Sequence, residues 1–113
     1  MKWRRRQGNR QAEPATKLDR EATPADVAAL IAFTRSKPGV EFYVEPETFA
    51  TDTTAVAVAA DGEWTRRRVG SPAVIRKIAR DLGLPAYDAQ IVGYPARMRA
   101  WTERQKERPP GVP

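Results

Sequence analysis

Cysteine and histidine are both absent from this 113-residue chain. Their absence removes disulfides, thiolate nucleophiles, imidazole bases and the usual zinc ligand sets together. An enzyme built on this sequence would have to work with Asp, Glu, Lys, Tyr, Ser or Thr, and no pair of these stands at a spacing that suggests a catalytic couple. The phosphate loop of the Gly-x-x-x-x-Gly-Lys type, the dinucleotide fingerprint and the nucleophile elbow are missing too. The expectation is a non-enzymatic protein with no cofactor and no metal. Long apolar runs are also lacking: none approaches the roughly 20 residues that span a bilayer. No apolar stretch of the kind found in secretion signals follows the basic N-terminus. These features predict no membrane partner and a cytoplasmic location.

What the chain has in excess is arginine. Fifteen arginines outnumber five lysines, and alanine is abundant, a bias that points to a GC-rich bacterial coding genome. The net charge of +6 is unevenly spread. Residues 1–20 hold seven basic and two acidic side chains, residues 21–63 two and eight, and residues 64–113 eleven and four. A chain that is basic, then acidic, then basic either presents cations to an outside polyanion or pairs its own halves, within or between copies.

Residues 1–22 have no apolar periodicity and read as a disordered basic tail led by Lys2, Trp3, Arg4, Arg5 and Arg6. Thr23-Pro24-Ala25-Asp26 then carries helix-start signals: a capping hydroxyl, a proline at the first helical position, and an acid near the positive end of the dipole. Val27, Leu30 and Ile31 follow at helical spacing, and Lys37-Pro38-Gly39 stops the helix, giving 24–36. From Val40 to Glu45, apolar and polar residues alternate as in a half-buried strand. Glu41 and Glu45 fall on its outer face, about 13 Å apart at roughly 3.3 Å per residue, too far for a glycosidase pair. They read as a solvated or partner-facing surface.

A second strand spans 53–60, and Asp61-Gly62 signals a hairpin. With a bulge at Gly62, Trp64, Arg66 and Arg68 share the face of Val58, Val56 and Thr54; a two-residue turn moves them to the other face. Both registers are open at this point. In either, Arg67 opposes Arg66 and Arg68, so the strand has arginines on both faces and belongs at a sheet edge. Ser71-Pro72 opens a second helix that Gly83 ends, with Val74, Ile75, Ile78, Ala79 and Leu82 inward and Arg76, Lys77 and Arg80 outward. Residues 86–94 fit either a strand ending at Ile91-Val92 or a short helix. Met98 and Trp101 mark a last helix over 95–107, which also carries Arg97. Residues 109–113 are expected to fray.

Two local resemblances bear on function. The order helix, three strands, helix over 24–83 resembles the double-stranded RNA-binding domain, whose second helix offers basic residues to phosphates. That resemblance implies the same role for Arg76, Lys77 and Arg80, although that family's lysine cluster at the helix start and its His-bearing hairpin loop are absent. The stretch Ile78-Ala79-Arg80-Asp81-Leu82-Gly83-Leu84-Pro85 is similar to the first helix and turn of bacterial helix-turn-helix domains, which would make 86–92 a recognition helix.

The expected fold is a single α+β domain over 23–108. It has an antiparallel sheet of three to four strands with helices packed on one face, in the order α-β-β-β-α-(β)-α. The expected function is nucleic-acid binding, DNA or RNA, mainly through phosphates. Arg4, Arg5, Arg6, Arg66, Arg67, Arg68, Arg76, Lys77, Arg80 and Arg97 are the candidate contacts. The alternative is a protein-interaction or assembly module. It would join acidic 41–63 to basic 64–108 of another copy, or to an acidic protein, with Tyr43, Trp64 and Tyr94 as anchors.

Overall fold

The computed structural model describes residues 22–107. The tail assigned to 1–22, with Arg4, Arg5 and Arg6, lies outside the described residues but for Ala22, as does the end at 109–113. Eight elements follow in order: α1 (Pro24–Ser36), β1 (Glu41–Glu45), β2 (Thr53–Val58), β3 (Trp64–Gly70), α2 (Pro72–Leu82), β4 (Ala86–Asp88), α3 (Ala89–Val92) and α4 (Ala96–Glu107). The α+β class holds.

Local chemistry sets the helix ends. Thr23 and Asp26 form a reciprocal capping box at α1, the Thr23 hydroxyl accepting from the Asp26 amide at 3.2 Å and the Asp26 carboxylate from the Thr23 amide at 3.0 Å. Ser71 caps α2 and Pro72 occupies its first turn, while Gly83 closes it in the left-handed conformation at φ +70°.

The sheet order is β3-β2-β1-β4. β1, β2 and β3 form an antiparallel meander, but β4 pairs parallel to β1, Tyr43 facing Tyr87. The expected antiparallel sheet is therefore mixed. Its cause is the path of α2, which carries the chain from β3 at one edge to β4 at the other, so that β4 enters in the direction of β1. β3 is an edge strand, as arginines on both faces require.

Strand alternation sorts the core into two layers. Phe42, Val44, Ala55 and Ala57 pack with Leu30 of α1 and Ile75 and Ala79 of α2 on one face. Full burial of Phe42 stabilises the fold by about 2 to 3 kcal/mol relative to exposure. Tyr43, Val56 and Val58 point the other way and pack with Ala89, Trp64 and Met98 of α4. Helices thus cover both faces rather than one, because α4 supplies its own apolar pair, Met98 and Trp101, to the hairpin end. Val74, expected to point inward, is exposed, and so are Ile91 (79%) and Val92 (56%).

Residues 86–94 resolve the strand-or-helix ambiguity as both in turn. Three residues of strand lead to one helical turn whose Asp88 side chain caps the Gln90 amide at 2.8 Å. A recognition helix over 86–92 is accordingly not formed, and the stretch 78–85 is the end of α2 with its glycine stop. Among the described residues, no helix is long and apolar enough to cross a membrane.

Candidate functional site

The β2–β3 connection fixes where the arginines point. Gly62 donates to the Ala59 carbonyl and Ala59 to the Glu63 carbonyl, with Gly62 at φ +94°, so the loop is a turn followed by a glycine bulge. Val58 then faces Trp64, Val56 faces Arg66 and Thr54 faces Arg68. The bulged register is the one adopted. A second irregularity, with Val69 as the extra residue of β3, lies between the Thr53–Gly70 and Thr54–Arg68 pairs, beside the last arginine.

On this face α4 covers the hairpin end only. Trp64 Nε1 donates to Thr102 Oγ1 at 2.9 Å, and Arg97 donates to the Ala59 carbonyl at 2.9 Å and to Glu41 at 2.7 Å. The opposite end stays open as a groove of about 720 Å³. Its floor is Thr54 with Arg66 and Arg68; Thr48 and Thr51 of the β1–β2 loop form one wall, and Gln90 and Tyr94 the other. Arg67 and Asp26 close it at the sheet edge.

Glu45 sits at the centre of this groove with 19% of its side chain exposed. Its Oε1 accepts from Thr54 Oγ1 at 2.6 Å and from Arg66 Nε at 2.9 Å; its Oε2 accepts from Arg66 Nη2 at 3.1 Å and from the Tyr94 hydroxyl. Burial pushes this carboxyl up, but the donors from Arg66, Thr54 and Tyr94 outweigh it and hold the pKa below the ordinary value. Burial, then the hydrogen bond to Glu45, raises Tyr94 against the opposing effect of Arg66. Arg66 is further held over the Trp64 ring, its Cζ 5.4 Å from the centroid. Arg67 turns to the other side of the strand and pairs with Asp26 at 3.4 Å. Burial raises the Asp26 pKa and the Thr23 and Arg67 hydrogen bonds lower it, with a net lowering.

Arg68 differs from its neighbours. Its Nε donates to Thr51 Oγ1 at 3.2 Å, and it makes no ion pair among the described residues. Among the described residues, three guanidiniums against two carboxylates leave the groove with one cation in excess.

A smaller hollow of about 180 Å³ lies alongside, between Glu41, Tyr43, Tyr87 and the Gly93-Tyr94-Pro95 turn. Tyr43 is its base, 5% exposed, with the Tyr87 and Tyr94 rings at 5.4 and 6.1 Å from its own. Burial, then the hydrogen bond to Glu41, pushes the Tyr43 hydroxyl up to about 12. Tyr94 lines both hollows and separates them.

The candidates named from sequence therefore part company. Arg66, Arg67 and Arg68 come together in the groove. Arg97 is engaged by Glu41 and a backbone carbonyl, and Lys77 by Asp81 at 2.8 Å. Arg76 and Arg80 are exposed on α2 and make no ion pair among the described residues. Of the three anchors, Tyr43 is buried and Trp64 half-buried under α4; Tyr94 is exposed. Sequence reasoning missed Glu45, which is not a solvated acid, and it missed Tyr87 and the threonines. The alternation that put Glu45 and Tyr43 on one face was the one available signal. Among the described residues, no group of three His, Cys, Asp or Glu side chains is placed to hold a metal ion.

No protein-family model, curated protein or solved structure matches this chain.

Proposed function

We propose that the chain is a non-enzymatic module that binds nucleic acid through phosphate groups, with the Arg66–Arg68 groove as the phosphate seat. The observation that carries this reading is Arg68, a guanidinium without a carboxylate partner among the described residues, beside two arginines whose forks are already oriented by Glu45 and Asp26. Arg68, held at Nε by Thr51, carries no carboxylate on its fork among the described residues, and such a planar fork can take a phosphate oxygen pair. The groove acids support binding over catalysis. Glu45 accepts four hydrogen bonds and its pKa is lowered, which makes it a weak proton acceptor. Arg76 and Arg80 of α2 form a second cationic strip, where the double-stranded RNA-binding resemblance would set its phosphate contacts.

Anisotropy of the intact protein with labelled oligonucleotides across a salt series tests this. Arg68→Ala should weaken binding about tenfold, equivalent to about 1.4 kcal/mol. It should also flatten the plot of log affinity against log salt by about 0.7 to 0.9 for the lost contact. Unchanged affinity and slope would remove the groove from the site.

The protein-interaction reading rests on different ground than charge. Glu41, Glu45 and Asp26 are paired with Arg97, Arg66 and Arg67 inside one chain, so the acidic and basic segments are complementary within it. What favours a protein contact is exposed Ile91 and Val92 on α3. An apolar contact of this kind predicts self-association that persists at high salt and is lost in Ile91→Glu. A monomer at every concentration by light scattering would dispose of self-assembly.

A further inference from the structure

The groove and the tyrosine hollow lie on one sheet face, and their relation bears on what kind of nucleic acid fits. This step rests on the phosphate reading above. Arg68 belongs to β3 at one edge of the sheet and Tyr87 to β4 at the other, with β2 and β1 between. At roughly 4.8 Å per strand the two edges are about 14 Å apart. Tyr94 stands between the two hollows and faces both. A ligand crossing from one to the other meets a cationic seat first and aromatic rings second.

The tyrosines are set up as a stacking shelf. Tyr43 is buried with its hydroxyl tied to Glu41 at 2.9 Å, so its ring is a fixed support. Tyr87 and Tyr94 lean on it at interplanar angles of 34° and 53° and stay 38% and 41% exposed. Tyr94 is further held by its hydrogen bond to Glu45. Rings that are exposed yet held lose little freedom when a flat partner stacks on them.

We propose that this face takes a single-stranded nucleic acid, with a phosphate at Arg68 and a base stacked on the Tyr87–Tyr94 shelf. A duplex keeps its base faces stacked inside and offers only phosphates, so the shelf would find nothing to hold. A single strand offers both chemistries a few nucleotides apart, the combination that strand-binding grooves use. Stacking accepts any base, because every base has a flat face, so the sequence preference is weak.

The test is anisotropy of the intact protein near 0.15 M salt, about physiological ionic strength. The probes are short single strands of DNA and RNA and a duplex of the same length, with Tyr87→Ala, Tyr87→Phe and Arg68→Ala beside the parent. Thermal melting confirms that each variant folds. Single strands should bind more tightly than the duplex. Tyr87→Ala should lower single-strand affinity about tenfold, leave the salt slope unchanged because no counterion contact is lost, and leave duplex affinity unchanged. Tyr87→Phe should restore binding. Equal affinity for duplex and single strand, or a Tyr87→Ala protein that binds like the parent while Arg68→Ala is weakened, overturns the single-strand inference and leaves the phosphate seat standing. If neither variant changes any affinity, both fall. A Tyr87→Ala effect confined to self-association gives the shelf to a protein contact and also overturns the inference.

Discussion

Gly62 lies directly under α4. A Cβ at this position would fall 2.1 Å from the Arg97 carbonyl oxygen and 2.9 Å from the Trp101 Cβ, on a backbone at φ +94°. Both the turn and the docking of α4 therefore require a residue without a side chain. Gly83 is a useful contrast: its φ is +70°, and nothing lies within 4 Å of the place a Cβ would take. Gly83→Ala should cost about 1 kcal/mol for the left-handed conformation alone. Gly62→Ala should cost about 3 kcal/mol, because strain and overpacking combine. Equal losses in urea unfolding would mean that α4 does not press on the hairpin. The Asp61-Gly62 pair announced the turn in the sequence, but nothing nearby announced α4, whose contact residues come more than thirty positions later. Glu45 makes the same point: its donors Thr54, Arg66 and Tyr94 are 9, 21 and 49 residues away, beyond the reach of any periodicity.

Among the elements, those whose ends are chemically local were legible and those defined by distant packing were not. The α1 bounds follow from Thr23, Pro24 and Asp26, which satisfy one another within four residues. α2 follows from Ser71, Pro72 and Gly83, although its apolar stripe is narrower than its sequence suggests, since Ile75 and Ala79 are buried while Val74 is exposed. β3 was legible as an edge because no central strand tolerates Arg66 and Arg67 on opposite faces. Its three arginines do not, however, form one uniform cationic surface. Glu45 and Asp26, from two other elements, neutralise two of them and leave Arg68 distinct. The direction of β4 was not legible, because only the path of α2 across the face it shares with α1 makes it parallel to β1. Nor was the face taken by α4, whose apolar residues, Met98 and Trp101, would suit either layer.

At the scale of the whole molecule the basic-acidic-basic sequence becomes a set of internal ties: Asp26 to Arg67, Glu41 to Arg97, and Glu45 to Arg66. These ties make stability depend on pH in a direction that the shifts determine. The Glu41 pKa is lowered, chiefly by Arg97 against the opposing effect of burial, and those of Glu45 and Asp26 are lowered despite burial. A carboxylate depressed in the folded state stabilises the fold above its ordinary value, 4.5 for Glu and 3.8 for Asp, and loses that contribution as pH falls through the folded value. Stability should therefore drop progressively once pH falls below about 4.5. The alkaline side has the opposite sign. Tyr43 is raised from 10.0 to about 12, first by burial and then by Glu41, so its contribution is complete below pH 10 and lost as pH rises toward 12. That contribution is at most about 2 to 3 kcal/mol. Urea midpoints should then be level between about pH 5 and pH 10 and decline on both sides. Tyr43→Phe should lower the plateau slightly, because a hydrogen bond to Glu41 is lost, and should flatten the alkaline decline while leaving the acid one in place. An alkaline decline of the same steepness in parent and variant would show that Tyr43 does not ionise there, and the buried ring under the shelf would no longer account for it.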